Sequence, residues 1–146
     1  MGYGLGAAIG GCIANRRERT ILFTSEGSFA MNCNELCTVV SQELPITIVI
    51  LHNGVLGMVR QWQGIFYGQR YSQTTLNRKT DFVKLAEAYG LRGFRAASID
   101  ELEAVLQEME KEPKGAYLID CLIDKDEKVF PMIPPGRSVK DIILRD

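Results

Sequence analysis

Glu26 and Asn53 are the residues of this chain whose types and spacing could do chemistry together. Glu26 lies in the turn Ser25-Glu26-Gly27-Ser28, directly after the apolar run Thr20–Thr24. Asn53 lies in His52-Asn53-Gly54, directly after the apolar run Ile46–Leu51, 27 positions beyond Glu26. A carboxylate and a carboxamide at the ends of neighbouring parallel strands can share a hard divalent cation through oxygen. That cation can hold a diphosphate, because ligands of open α/β sheets sit outside the carboxyl ends of the strands. Gly27 and Ser28 add backbone and hydroxyl donors suited to phosphate oxygens at a helix start. Taken singly, Glu26 reads as a solvated acid favoured by a helix dipole, and Asn53-Gly54 as a plain turn. The signal is the pair at matched strand ends.

The elements that must position this pair follow from the apolar pattern. Thr20–Thr24 and Ile46–Leu51 are short continuous apolar runs, as expected of strands covered on both faces. Gly2–Asn15 is small and apolar; it reads as a buried helix whose glycines allow close approach to a sheet. Asn34–Glu43 reads as a helix with Leu36, Val39 and Val40 on one side, and Pro45 follows its end. Met58–Tyr67 is aromatic-rich without an assigned element, and residues 71–79 read as a polar loop. Asp81 caps a helix to Tyr89, with Gly90 as its C′ residue. Gly93–Ala97 is a third strand. Ser98 and Glu101 form a capping box that opens a helix to about Lys111. Ala116–Ile123 is a further strand, and 125–146 an irregular, Pro-rich tail. Strands alternating with helices predict a three-layer, doubly wound α/β fold, mostly parallel with helices on both faces, in one domain over 1–146.

The chain has 146 residues with 17 basic and 18 acidic side chains. This balance argues against a nucleic-acid or membrane-surface partner, for which a basic excess is expected. The sequence contains no run of 18 apolar residues and no basic-then-apolar leader, so a cytoplasmic protein is expected. Its cysteines are Cys12, Cys33, Cys37 and Cys121, and its only histidine is His52. Their spacing reads as small apolar residues in a reducing compartment rather than as a metal or disulfide set.

Longer strings carry a resemblance. Gly2-Tyr3-Gly4-Leu5, Glu26-Gly27-Ser28-Phe29 with Met31-Asn32, Gly57-Met58-Val59-Arg60-Gln61-Trp62-Gln63, Phe82–Gly90 and Val129–Gly136 together resemble the acetolactate synthase (acetohydroxyacid synthase) large subunit, in its C-terminal thiamine diphosphate-binding domain. The resemblance spans nearly the whole chain. It implies that magnesium is held by Glu26, Asn53 and the backbone oxygen of Val55. It also implies that Ser25, Gly27, Ser28, Gly57 and Met58 line the diphosphate and thiazolium. Met1 falls where the family has a bulky residue that bends the cofactor, and Trp62 where a tryptophan favours the larger 2-ketoacid acceptor. Without the resemblance, Trp62 reads as a core or interface aromatic. The implied reaction joins two 2-ketoacids with loss of carbon dioxide, in branched-chain amino acid biosynthesis.

The sequence departs from the family's pattern in three places. The family's Gly-Asp-Gly is Ser25-Glu26-Gly27, its Asn-Asn is His52-Asn53, and its Gly-Leu-Pro is Gly4-Leu5-Gly6. Glutamate is one methylene longer than aspartate, whereas magnesium demands near-ideal octahedral geometry at about 2.0–2.1 Å. Ser25 places a Cβ where a positive φ would be strained. Weaker magnesium and cofactor binding is therefore expected. The family's pyrimidine-binding portion, with the glutamate that activates the cofactor, has no counterpart here, so no catalytic residue is assigned and the chain alone is expected to be inactive. A fold truncated on its N-terminal side leaves a sheet edge or face uncovered, which predicts a homo-oligomer or pairing with a pyrimidine-binding portion on another chain. The alternatives are a non-catalytic remnant or interaction module of the same fold, and a pyruvate oxidase-like or glyoxylate carboligase-like protein.

Overall fold

The structure, a computed structural model, describes residues 1–77 and 79–145. Arg78, in the expected loop, and Asp146, at the end of the tail, lie outside the described residues. The element order is α1 (Gly4–Ala14), β1 (Thr20–Ser25), α2 (Glu26–Phe29), a 3-10 turn (Cys33–Glu35), α3 (Leu36–Ser41), β2 (Ile46–His52), α4 (Gly57–Phe66), α5 (Phe82–Tyr89), β3 (Arg92–Ala96), α6 (Ile99–Met109), β4 (Tyr117–Leu122) and, within the tail expected to be irregular, a second 3-10 turn (Val139–Asp141) capped by Ser138. Among the described residues the strands form one parallel sheet in the order β1-β2-β4-β3.

The sheet is covered unequally. On one face Ile46, Ile48, Ile50 and Leu118 pack with Leu5, Ile9 and Cys12 of α1, Leu36 and Val39 of α3, and Phe82 and Ala86 of α5. On the other, Val49, Tyr117, Ile119 and Cys121 pack with Met109, Leu102 and Val105 of α6. The α/β layering expected from the sequence is therefore present.

The expectation that β1 is covered on both faces is not met. Ile21 is 54% and Phe23 67% exposed. Phe23 pairs in register with Val49, the outermost strand residue of the α6-side cluster. β1 is an edge strand, and α6 covers the sheet beside it without reaching over it. α1 also departs from expectation: only Leu5, Ile9 and Cys12 are buried, so it lays one stripe on the sheet. A Cβ on Gly4 would lie 3.1 Å from Leu22, whereas Gly6 and Gly10 have open space. The predicted helix Asn34–Glu43 begins instead as a 3-10 turn, and its regular α-helical part ends at Ser41.

The later caps form largely as read. Asp81 accepts from the Val83 and Lys84 amides, and Gly90 ends α5 at φ +94°. Ser98 accepts from Glu101 N–H at 3.2 Å, but the Glu101 carboxylate accepts from Ala97 N–H at 2.7 Å, one residue before the cap. The Lys84 amide hydrogen bond, followed by the charge of Arg95, holds the Asp81 carboxyl below the usual aspartate range. A pKa lowered by folding contributes stability that is complete above the unfolded pKa and is lost as pH falls through the folded one. Asp81→Ala is therefore expected to lower the melting temperature at neutral pH, with the gap to the unsubstituted protein closing in acid. Thermal melts across the acid range check this; a gap of constant size would contradict it.

Candidate functional site

Ser25 closes β1 in extended backbone, φ −109° and ψ 159°, and its hydroxyl accepts from Ser28 N–H at 3.4 Å to cap α2. Its Cβ meets no left-handed strain, so the conformational penalty expected for this serine is absent. The Ser28 hydroxyl accepts from Gly2 N–H at 2.9 Å, which ties the start of the chain to this turn.

Glu26 is the first residue of α2 and only 2% exposed. Its Oε1 accepts from Gly54 N–H at 2.7 Å, so the carboxylate reaches from the end of β1 to the turn after β2. Its Oε2 is buried with no hydrogen-bond partner. An unpaired buried acceptor carries a desolvation cost of about 1–3 kcal/mol, more when charged. The Asn53 Oδ1 accepts from Val55 N–H at 3.1 Å, an Asx-type turn that holds the carboxamide beside its own backbone. Val55 is buried and bridges antiparallel to Thr75. The bonds of that bridge, Leu56 N–H to Thr74 O and Leu76 N–H to Gly54 O, are both 2.8 Å and flank Val55 without using its carbonyl. Part of the expected 71–79 loop is thus fastened to the Asn53 turn.

These residues fit a hard cation. A carboxylate oxygen without a partner, a carboxamide and a backbone carbonyl come from two adjoining turns, and oxygen sets of this kind suit magnesium, calcium or manganese. Among the described residues there is no cluster of three or more His, Cys, Asp or Glu to offer a rival metal site. The glycines allow side chains to approach these turns closely. A Cβ on Gly27 would lie 3.0 Å from Leu56, 3.5 Å from Leu76 and 3.7 Å from the Met1 methyl, so Met1 does reach the α2 turn. A Cβ on Gly57 would lie 2.9 Å from the Asn53 amide nitrogen.

Met58 and Trp62 project from the outer side of α4. With Val59, Gln63, Tyr67 and Arg70 they line an open hollow of about 550 Å³. Trp62 is 37% exposed and meets Phe66 edge-on at 6.0 Å. It belongs to neither hydrophobic cluster, which removes the core reading of this residue.

His52 is paired elsewhere. Its Nδ1 lies 2.7 Å from Asp120 Oδ1, and its ring packs edge-on against Phe82. Asp120 is fully buried on β4; its Oδ2 accepts from Arg95 Nε at 3.1 Å, and Arg95 continues to Asp81 at 3.1 Å. Burial, then the charge of Asp120, pushes the Cys121 thiol up, away from thiolate reactivity. Sequence reasoning missed this network, because Asp120 reads only as a polar residue within a strand.

It also passed over the glutamines of α4. Gln61 is 5% exposed and bonded to the tail, and Gln63 exchanges hydrogen bonds with Ser72 at 3.1 and 3.2 Å. The available signal was helical spacing: residues 57, 60, 61 and 64 share one face of α4, opposite Met58, Val59 and Trp62.

A parallel sheet with a polar oxygen cluster at its carboxyl end is the frame of a nucleotide- or diphosphate-binding domain. The chain matches the family described as "Thiamine pyrophosphate enzyme, C-terminal TPP binding domain" over residues 1–121 and belongs to it. It is 43% identical over 143 residues to the acetolactate synthase isozyme 2 large subunit of Escherichia coli (strain K12), covering 98% of this chain and 26% of that protein. It is 45% identical over 139 residues to the acetolactate synthase large subunit of Cyanidium caldarium, covering 94% and 24%. Among solved structures, the Rhodococcus jostii RHA1 thiamine diphosphate-dependent 4-hydroxybenzoylformate decarboxylase superposes with a TM-score of 0.76 at 27% identity, over 85% of this chain and 23% of that one. The chain spans about a quarter of the length of these relatives.

Proposed function

We propose that this chain is the diphosphate-anchoring domain of an acetolactate synthase-type enzyme. Glu26, Asn53 and the Val55 carbonyl would hold magnesium, and Ser25, Gly27, Ser28 and Gly57 would border the diphosphate, with Met1 and Met58 toward the thiazolium. The observation that carries this reading is the buried, unpartnered Glu26 Oε2 at the turn shared with Asn53. Thiamine diphosphate supplies the nucleophilic carbon and electron sink that decarboxylation of a 2-ketoacid needs. The chain's own residues anchor and orient it. The apolar hollow around Trp62 would receive the acceptor ketoacid, in keeping with a role in branched-chain amino acid biosynthesis. Turnover would also require a proton-transfer group of the kind that the family's pyrimidine-binding portion supplies. Four free cysteines suit a cytoplasmic setting.

The exposed Ile21 and Phe23 on edge strand β1 support self-association or pairing with that portion. Calorimetric titration of the chain with thiamine diphosphate, with and without magnesium, tests the reading. Magnesium-dependent binding is expected, tighter in Glu26→Asp, whose shorter side chain suits octahedral geometry better. The absence of binding in both proteins would leave a fold-retaining remnant as the better account. Sedimentation of the same samples is expected to show an oligomer.

A further inference from the structure

α4 contributes no residue to either hydrophobic cluster, although it carries Met58 and Trp62 into the hollow. Apolar packing therefore does not explain what holds it in place. Its inner face supplies a polar alternative. The Gln61 carboxamide, 5% exposed, pairs with the backbone of Val129 like a strand residue: Oε1 accepts from Val129 N–H at 2.8 Å, and Nε2 donates to Val129 O at 3.0 Å. The same Nε2 lies 3.2 Å from the Met132 sulfur. Because Val129 supplies one donor and one acceptor, the orientation of the amide is unambiguous.

One residue earlier, Arg60 bonds to Asp126 at 2.7 Å, with its guanidinium 3.9 Å above the Tyr71 ring. Gly57 and Gly64 complete this face, and the space between it and residues 126–128 is only about 10 Å³. The tail is thus seated on one side of α4 while the hollow occupies the other.

We infer that Gln61 is a positioning residue: its amide pair with Val129 clasps the tail to α4 and so fixes the orientation in which Met58 and Trp62 face the hollow. Arg60 and Asp126 extend the clasp along the same face. A polar clasp sets position more sharply than apolar contact, since a rotated α4 leaves both Gln61 and the Val129 backbone unpaired. That the hollow receives a ketoacid rests on the function proposed above; the clasp does not.

Trp62 is the only tryptophan of the chain, so its fluorescence reports on α4 alone. Gln61→Leu keeps the bulk of the side chain and removes both bonds. Val129→Pro removes the tail's N–H donor, keeps the carbonyl that Gln61 Nε2 bonds, and changes no residue of α4; its ring also fixes φ at 129 and restricts residue 128. In cofactor-free protein, both variants are expected to shift Trp62 emission to the red and raise its quenching by acrylamide, with far-ultraviolet circular dichroism unchanged. The double variant is expected to go no further than the larger single effect, because both substitutions break one pair. Trp62 emission unchanged in the folded variants, or additive effects in the double, overturns the clasp. If Gln61→Leu does not fold, Val129→Pro decides the matter alone. If the unsubstituted protein binds no thiamine diphosphate while these signals shift as expected, the ketoacid reading falls and the clasp stands.

Discussion

Glu26→Gln is expected to abolish the magnesium response proposed for this protein while leaving the fold intact. The reason lies in the two oxygens of one carboxylate. Oε1 is committed to Gly54 N–H at 2.7 Å, and a glutamine oxygen serves that bond equally well. Oε2 is buried without a partner, and the substitution replaces it with an amide nitrogen that cannot bind a cation. Removing even the outer partner of a metal ligand costs about 10–100-fold in affinity, so losing the ligand itself is expected to cost at least about 100-fold. Without magnesium the unfolding midpoint is expected to stay about level, because a buried oxygen without a partner is exchanged for a buried amide nitrogen without one. With magnesium and thiamine diphosphate the native protein is expected to gain stability by mass action and the variant is not. Thermal melts of both proteins with and without the two ligands measure this. A variant that still rises with magnesium would remove Glu26 from the site.

The second large effect concerns Asp120, which is fully buried between His52 and Arg95. Stripping one partner leaves half of a carboxylate unsatisfied; stripping both leaves a buried charge alone. His52→Leu is expected to cost about 1–3 kcal/mol, the penalty for one orphaned acceptor. Arg95→Met alone costs less, because that side chain is 46% exposed and water can take its place. The double variant is expected to lose more than the sum, since each partner can compensate for the other only while one remains. Adding Asp120→Asn to the double variant is expected to recover much of the loss, because it removes the charge that had been stranded. Denaturant unfolding of the unsubstituted protein and the four variants measures this. Strict additivity, or no recovery with Asp120→Asn, would show that Asp120 is neutral or solvated in the native protein.

Both predictions depend on features of different legibility. β2 was readable because Ile46–Leu51 is apolar but for Thr47, and that pattern stabilises only a strand enclosed by neighbours. The α5 cap and stop were readable because Asp81 and Gly90 act through their own backbone, within a few residues. β1 has the same apolar signature as β2, yet half of it faces outward. Burial depends on what lies across the sheet, and Thr20–Thr24 carries no information about that. The Ser25 backbone was misread for a similar reason: the conformation at that turn is set by the α2 it caps.

The sequence by itself determined the alternation of strands and helices, the turns that carry Glu26 and Asn53, and the family, because each rests on local pattern or on contiguous strings. Only the tertiary structure decided that Glu26 crosses to Gly54, that His52 turns to Asp120, 68 residues away, and that Gln61 holds Val129, also 68 residues away. Those pairings join segments that are remote along the chain. A side chain's type names the bonds it can make, and only the packed sheet selects the partner within reach.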